Sequence, residues 1–150
     1  MTKIDIIDQL PYSKPFLFVD ELIDVSENGV TGYYKFPEGS DFYRGHFKDH
    51  PVTPGVILTE CCAQIGVVCL GIYLLQNEID FIQKTIQIGM SSTQMEFLLP
   101  VLPNEKVTVT SEKVYFRFNK LKCKLKMHNS EGQLVCKGEI SGMFKSDANA

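Results

Sequence analysis

A histidine, a glycine and a glutamate on one short segment have the residue types needed to move protons and to stabilise negative charge. His46 stands on a stiff loop that ends at Pro54 and Gly55, and Glu60 follows His46 by fourteen positions. Neutral imidazole can take a proton near pH 7. Gly55 leaves the backbone uncovered, so its N–H can meet a ligand oxygen with help from the helix dipole. The segment therefore combines a base, an acid and an oxyanion donor.

A long helix must position the acid. Thr53 can cap this helix, and Pro54 suits its first position, where a missing N–H costs nothing. From Val56 to Leu75 the residues are apolar with three exceptions, Thr59, Glu60 and Gln64. Because Glu60 and Gln64 are four residues apart, both project from one face.

Two environments suit a helix that is apolar nearly all round: a membrane, or a protein interior. Twenty residues are enough to span a bilayer. A charge in mid-segment at Glu60 disfavours the bilayer, and no Lys or Arg directly follows the run. The sequence therefore predicts a buried central helix and no membrane span.

Composition narrows the class of protein. The chain has 150 residues, 44% of them hydrophobic, which predicts a single domain, 1–150, with a real core. A net charge of −3 gives no overall attraction to nucleic acid. Acidic residues interrupt the N-terminal isoleucines, so no secretory signal is visible and the cytoplasm is the expected location. The five cysteines show no metal-ligand spacing.

Hydrophobic periodicity predicts an α+β domain. The predicted elements are a short helix over 4–10, a strand hairpin over 16–25 and 30–36, a loop over 37–43, a connector to about 84, four strands over 85–99, 106–118, 121–128 and 133–144, and a frayed tail over 146–150. Strict alternation over 121–128 indicates one buried strand face. A single curved antiparallel sheet wrapped around the long helix would cover it on most sides. The sheet edge invites pairing with a second copy.

Two segments carry a family resemblance. Residues 10–20, Leu-Pro-Tyr-Ser-Lys-Pro-Phe-Leu-Phe-Val-Asp, resemble the opening of the 3-hydroxyacyl-acyl-carrier-protein dehydratases of fatty-acid synthesis. Gly-His-Phe at 45–47, His-Pro-Val-Thr-Pro-Gly at 50–55, and then Glu60 and Gln64 resemble their active-site segment. The resemblance covers roughly residues 7–144. It implies a hotdog fold and a homodimer whose active sites each take the histidine from one chain and the acid from the other; some members are trimers of dimers.

The resemblance also implies roles for individual residues. His46 would remove the C2 proton, Glu60 would donate to the departing hydroxyl, and the Gly55 N–H would polarise the thioester carbonyl. The Val52 carbonyl would fix the His46 tautomer, and Gln64 would hold Glu60. The remaining predicted substrate-binding residues are Phe47, Pro54, Ile57, Leu58 and Cys61. No metal or redox cofactor is expected, since the substrate is carried on the phosphopantetheine of acyl carrier protein. Because the acid is Glu60 and not an aspartate, the resemblance favours the family branch that dehydrates without isomerising the double bond.

Other functions stay open. A hotdog thioesterase would use a carboxylate to activate water, and a non-catalytic subunit would only bind acyl chains or dock the carrier. The chain departs from the family pattern at three places: Tyr-Ser-Lys at 12–14, Lys-Asp at 48–49, and Met-Glu-Phe-Leu-Leu at 95–99. These departures imply a different carrier-docking surface and leave open a specialised pathway to a polyene, pigment or lipid.

Overall fold

One long helix and one six-stranded sheet make up most of the fold. The computed structural model describes residues 1–76 and 86–146, so the predicted connector beyond 76 and the predicted tail from 147 lie outside the described residues. The helical elements are α1 (Lys3–Asp8), a 3₁₀ turn (Asp41–Arg44), and a central helix (Gly55–Leu75) composed of α2 (Gly55–Ala63), a π-helical segment (Gln64–Cys69) and α3 (Leu70–Leu75). The strands are β1 (Glu21–Ser26), β2 (Gly29–Lys35), β3 (Ile86–Phe97), β4 (Lys106–Arg117), β5 (Lys120–Asn129) and β6 (Leu134–Ser146).

All neighbouring strands are antiparallel, in the order β1-β2-β4-β5-β6-β3. Register shifts in four of the five strand pairs mark bulges, which bend a sheet and increase its twist. The inward face of the sheet packs on the central helix, and the core lies between them. The predicted α+β hotdog fold, a curved antiparallel sheet around one long helix, is confirmed.

The central helix is long and apolar enough to cross a membrane by length and composition, yet 72% of its apolar window is buried inside the fold. Its polar exceptions are accommodated within the protein, since the Thr59 hydroxyl donates to the Gly55 carbonyl at 3.0 Å and the Gln64 side chain is fully buried. The predicted buried central helix is confirmed.

Two glycines let the central helix lie close against the sheet. A Cβ on Gly66 would come within 2.2 Å of the Leu125 side chain, and a Cβ on Gly71 within 2.1 Å of the Phe144 ring. The Ser111 hydroxyl donates to the Gly66 carbonyl at 2.9 Å, which joins β4 to the π-helical segment. These contacts fix the position of the helix, and with it the position of Glu60.

Two predictions about local structure were wrong. The first strand begins at Glu21, not at residue 16, because backbone groups of Phe16 and Phe18 bond to the Gln64 side chain and not to a strand. Thr53 does not cap the central helix. Its hydroxyl bonds to the Tyr43 hydroxyl at 2.6 Å and its N–H donates to the Val101 carbonyl at 2.8 Å, so tertiary partners hold it outside the helix.

Pro54 takes the N-cap position without a side-chain hydrogen bond, and the helix begins at Gly55. The predicted first position for Pro54 is therefore off by one residue. The predicted loop over 37–43 ends in the 3₁₀ turn that precedes the His46 loop.

We predict that Gly71→Ala destabilises the protein. Alanine ordinarily favours a helix by about 1 kcal/mol over glycine, but here its methyl group would overlap the buried Phe144 ring, and overpacking typically costs about 1–3 kcal/mol. A net loss should appear in the free energy of unfolding measured by denaturant titration. Gly39→Ala is the matched control, because a Cβ there meets nothing within 4 Å. Equal stability of the two variants would contradict the close helix–sheet contact.

Candidate active site

The His46 loop holds its imidazole in one orientation. Nδ1 of His46 lies 2.9 Å from the Val52 carbonyl oxygen, and the Val52 N–H donates to the His46 carbonyl at 2.8 Å. A carbonyl can only accept, so Nδ1 carries the proton and Nε2 is left as the basic nitrogen. The Phe47 ring stacks on the imidazole at 4.2 Å between ring centres. The contact that was expected between His46 and Val52 is present.

Glu60 is positioned by Gln64, one helical turn further on. The Gln64 Nε2 donates to Glu60 Oε2 at 3.0 Å and also to the Phe16 carbonyl at 3.0 Å, while the Gln64 Oε1 accepts from the Phe18 N–H at 2.8 Å. Burial raises the pKa of Glu60, and the hydrogen bond from Gln64 opposes part of that rise. A carboxyl with a raised pKa is suited to act as an acid.

Glu60 opens into a cavity of about 200 Å³ between the central helix and the sheet. Most of the walls are apolar, and the lining residues are Tyr12, Phe16, Glu60, Ala63, Val67, Val68, Ile88, Met90, Ile140, Ser141 and Gly142. From Glu60 to Val68 the helix advances about 12 Å, at 1.5 Å per residue. The space suits an extended apolar chain with an acid at one point of its wall.

Gly55 presents its backbone at the helix N-terminus. No acceptor for its N–H lies among residues 1–76 and 86–146, and the first N–H groups of a helix carry partial positive charge. A Cβ at Gly55 would lie 3.3 Å from the Phe97 ring, so the absence of a side chain lets that ring cover the glycine. The N–H, which has no acceptor in the described part of the chain, is a candidate donor to a ligand oxygen.

The other predicted substrate-binding residues lie in different environments. Phe47 is 60% exposed, Ile57 is half-buried against the core, and Leu58 is buried. Cys61 is fully buried, with its thiol donating to the Phe18 carbonyl at 3.4 Å. Burial raises the pKa of Cys61 well above its usual value, which makes the thiol a poor nucleophile. Pro54 is buried at the start of the helix.

Within one chain the structure does not bring the two predicted catalytic side chains into one cavity. Glu60 and Gln64 are joined by a hydrogen bond, and so are His46 and Val52, but His46 is not among the residues that line the cavity of Glu60. The described residues thus hold the imidazole and the carboxyl in two separate hydrogen-bonded pairs, His46 with Val52 and Glu60 with Gln64.

The sequence did not predict Tyr12, Phe16 and Ser141 as site residues, although all three line the cavity of Glu60. Burial, together with the negative charge of Glu60, raises the pKa of Tyr12 to about 12. Its place in the Leu-Pro-Tyr segment, where the chain departs from the family pattern, was the available signal. Ser141 belongs to β6, and no local pattern marked it.

A second hollow, of about 870 Å³, lies on the outer face of the sheet, away from the central helix. Its charged side chains alternate in sign across strands, as in the row Glu112, Lys124 and Glu139. Such a row is typical of a solvated strand face. The cavity at the helix, where an acid faces mostly apolar walls, is the better candidate for a site of chemistry.

A curved antiparallel sheet around one helix, with an acid in an apolar cavity beside that helix, defines a hotdog-fold protein with a candidate site for an apolar chain. Comparison with known proteins shows the family to which the chain belongs. Residues 10–141 match the model of the FabA-like domain. A 3-hydroxyacyl-[acyl-carrier-protein] dehydratase FabZ from Ehrlichia chaffeensis is 31% identical over 145 residues, which are 95% of this chain and 94% of that protein. The chain belongs to the FabZ-type 3-hydroxyacyl-[acyl-carrier-protein] dehydratase family.

Solved structures agree on the fold. The dehydratase heterocomplex ApeI:P from Xenorhabdus doucetiae contains a chain similar to this one, with a TM-score of 0.79 at 12% identity, covering 99% of this chain and 94% of that chain. A hypothetical thioesterase from Streptococcus pneumoniae, solved with coenzyme A, has a TM-score of 0.60 at 16% identity, covering 84% of this chain and 85% of that one.

We predict that Glu60→Gln stabilises the protein increasingly as the pH rises. The folded pKa of Glu60 lies above its ordinary value of 4.5, so the wild type loses stability as the pH rises from that value through the folded pKa. Glutamine cannot ionise, so the difference in melting temperature, variant minus wild type, should be larger at about pH 8 than at about pH 4. Glu131→Gln, on an exposed turn, controls for the loss of one negative charge. A pH-independent difference would contradict the burial of a titrating Glu60.

Proposed function

We propose that the protein dehydrates a 3-hydroxyacyl chain carried on the phosphopantetheine of acyl carrier protein, giving the trans-2-enoyl thioester. The observation that carries the proposal is the pairing of Glu60 with Gln64 at an apolar cavity, where burial raises the pKa of the carboxyl. Family membership supports the reaction.

In the proposed reaction, His46 Nε2 removes the C2 proton, and the electron pair of that C–H bond becomes the C2=C3 double bond. The C3–O bond breaks, and the departing hydroxyl takes the proton of Glu60 and leaves as water. Return of a proton from His46 to Glu60, directly or through solvent, restores the starting state. The Gly55 N–H would stabilise the negative charge that develops on the thioester oxygen.

The reaction needs no metal or redox cofactor, because it is a transfer of protons and the loss of water. Acyl carrier protein is the proposed partner, and nucleic acid is not. A cytoplasmic location is also part of the proposal, and the five free thiols support it.

We further propose that each active site joins His46 of one chain with Glu60 of a second copy. Strand β3 lies at an edge of the described sheet and exposes apolar side chains, among them Met90 at 43% and Phe97 at 47%. An edge strand with exposed apolar side chains is suited to pairing with an identical strand about a two-fold axis. Assembly of such dimers into trimers remains a prediction from the family resemblance.

The thioesterase alternative has one observation in its favour, the likeness in fold to a thioesterase. A thioesterase needs its carboxylate ionised, as a base for water. The raised pKa of Glu60 favours the protonated form, which suits a proton donor better. Release of free thiol without an enoyl product would identify a thioesterase. Carrier binding with no turnover would identify a non-catalytic subunit.

We expect the wild type to hydrate trans-2-enoyl thioesters, because the reaction is reversible, and His46→Ala and Glu60→Gln each to abolish turnover in a folded protein. Hydration is followed by product mass, and folding by circular dichroism. Full activity of His46→Ala would refute the proposed base.

Mixing the two inactive variants tests the shared site. When an equal mixture is refolded, random exchange of chains makes about half of the dimers mixed. Each mixed dimer has one intact site out of two, so about a quarter of the wild-type rate should be restored. Each variant refolded alone is the control. No recovery in a mixture that light scattering shows to be dimeric, at twice the 17.0 kDa chain mass, would contradict sites built from two chains.

A further inference from the structure

Tyr12 faces the same cavity as Glu60 but belongs to a different part of the fold. It lies in the segment between α1 and β1, with its ring 6.3 Å from the ring of Phe16, which also lines the cavity. The charge of Glu60 acts on the phenol strongly enough to contribute to its raised pKa. The phenol and the carboxyl are therefore contributed to the walls of one cavity by different elements.

Both groups have hydrogen-bonding capacity that the protein does not use. Among residues 1–76 and 86–146, the Tyr12 hydroxyl forms no hydrogen bond, and Glu60 engages only its Oε2, with Gln64. Because both residues line one cavity, a ligand oxygen that enters it could be bound by the unused donor and the unused carboxyl oxygen together.

The chemistry of the proposed reaction supplies such an oxygen. When the C3–O bond breaks, negative charge builds on the departing hydroxyl, and a poor leaving group benefits from every donor that reaches it. The pKa of Tyr12, about 12, keeps the phenol protonated and able to donate throughout the neutral range.

We propose that Tyr12 is a further catalytic residue, whose hydroxyl donates a hydrogen bond to the C3 oxygen of the substrate while Glu60 protonates that oxygen. This inference rests on the proposed dehydratase function. It assigns the tyrosine a role at the leaving group, separate from the roles of His46 at C2 and Gly55 at the thioester carbonyl. Tyr12 gains and loses no proton in the cycle; the proton that leaves in water comes from Glu60.

The test removes only the hydroxyl. Tyr12→Phe keeps the ring beside Phe16, and we expect kcat/KM with a 3-hydroxyacyl thioester to fall roughly tenfold to a hundredfold, mostly through kcat and partly through KM. The hydrogen bond is present in the bound substrate and strengthens in the transition state. Tyr34→Phe is the matched control. The pKa of Tyr34 is also about 12, but this residue packs against Phe18 and Phe36, outside the cavity. The kcat of the Tyr34→Phe variant should therefore stay within about twofold of the wild-type value.

Ligand binding gives a readout that a purely structural role would not move. In the Glu60→Gln background, where turnover is absent, adding Tyr12→Phe should weaken binding of a 3-hydroxyacyl-pantetheine and leave binding of the saturated acyl-pantetheine of equal length unchanged. Equal weakening of both ligands would mean that Tyr12 only shapes the cavity, and would overturn the proposal.

The outcomes separate this inference from the function on which it rests. A wild type without hydration or dehydration activity refutes the proposed function. An active wild type whose Tyr12→Phe variant keeps kcat within about twofold refutes the role of Tyr12 alone. Should Tyr12→Phe fail to fold, 3-fluorotyrosine at position 12 retains the packing and is a stronger donor. An unchanged kcat for that protein would overturn the proposal.

Discussion

The side chain of Gln64 connects the chemistry of this protein to its fold. It is fully buried, and its amide bonds to the Glu60 carboxyl, to the Phe16 carbonyl and to the Phe18 N–H. The acid is thus fixed by the same group that attaches the segment before β1 to the central helix. A buried amide with unmet hydrogen bonds would be costly, so the Glu60 orientation and the path of that segment depend on each other.

The π-helical segment begins at Gln64, and the wider turn continues to Cys69. Such turns often occur at functional sites. Here the segment passes Val67 and Val68, which line the cavity, and Gly66, which lies close to the sheet. The helix therefore contributes the acid, the wall of the cavity and the contact that holds it on the sheet, over little more than two turns.

Part of this site could be predicted from the sequence, because part of it is local. His46, Glu60 and Gln64 lie on one loop and the helix that follows it. Their relative positions can therefore be predicted from the motif and from helical periodicity. The cavity wall is different, since Tyr12 comes from the segment before β1, while Met90 and Ser141 come from two strands that meet only through their register. The pairing of Ser92 with Ser141, next to a bulge after Met90, sets that register. The prediction that Thr53 caps the helix, made from local propensity, was also wrong, because Thr53 bonds to Tyr43 and Val101 instead.

The cavity beyond Glu60 is bounded by small residues on both sides, Ala63 on the helix and Gly142 on β6. Neither of them contributes a polar side chain to proton transfer. Replacing Ala63 by a bulkier apolar residue would shorten this space without removing the acid or its amide partner, whereas a side chain on Gly142 would first press on Val67, 3.1 Å from a Cβ there. In evolutionary terms, the length of this space and the acid in its wall depend on different residues, so a substitution could change one without the other.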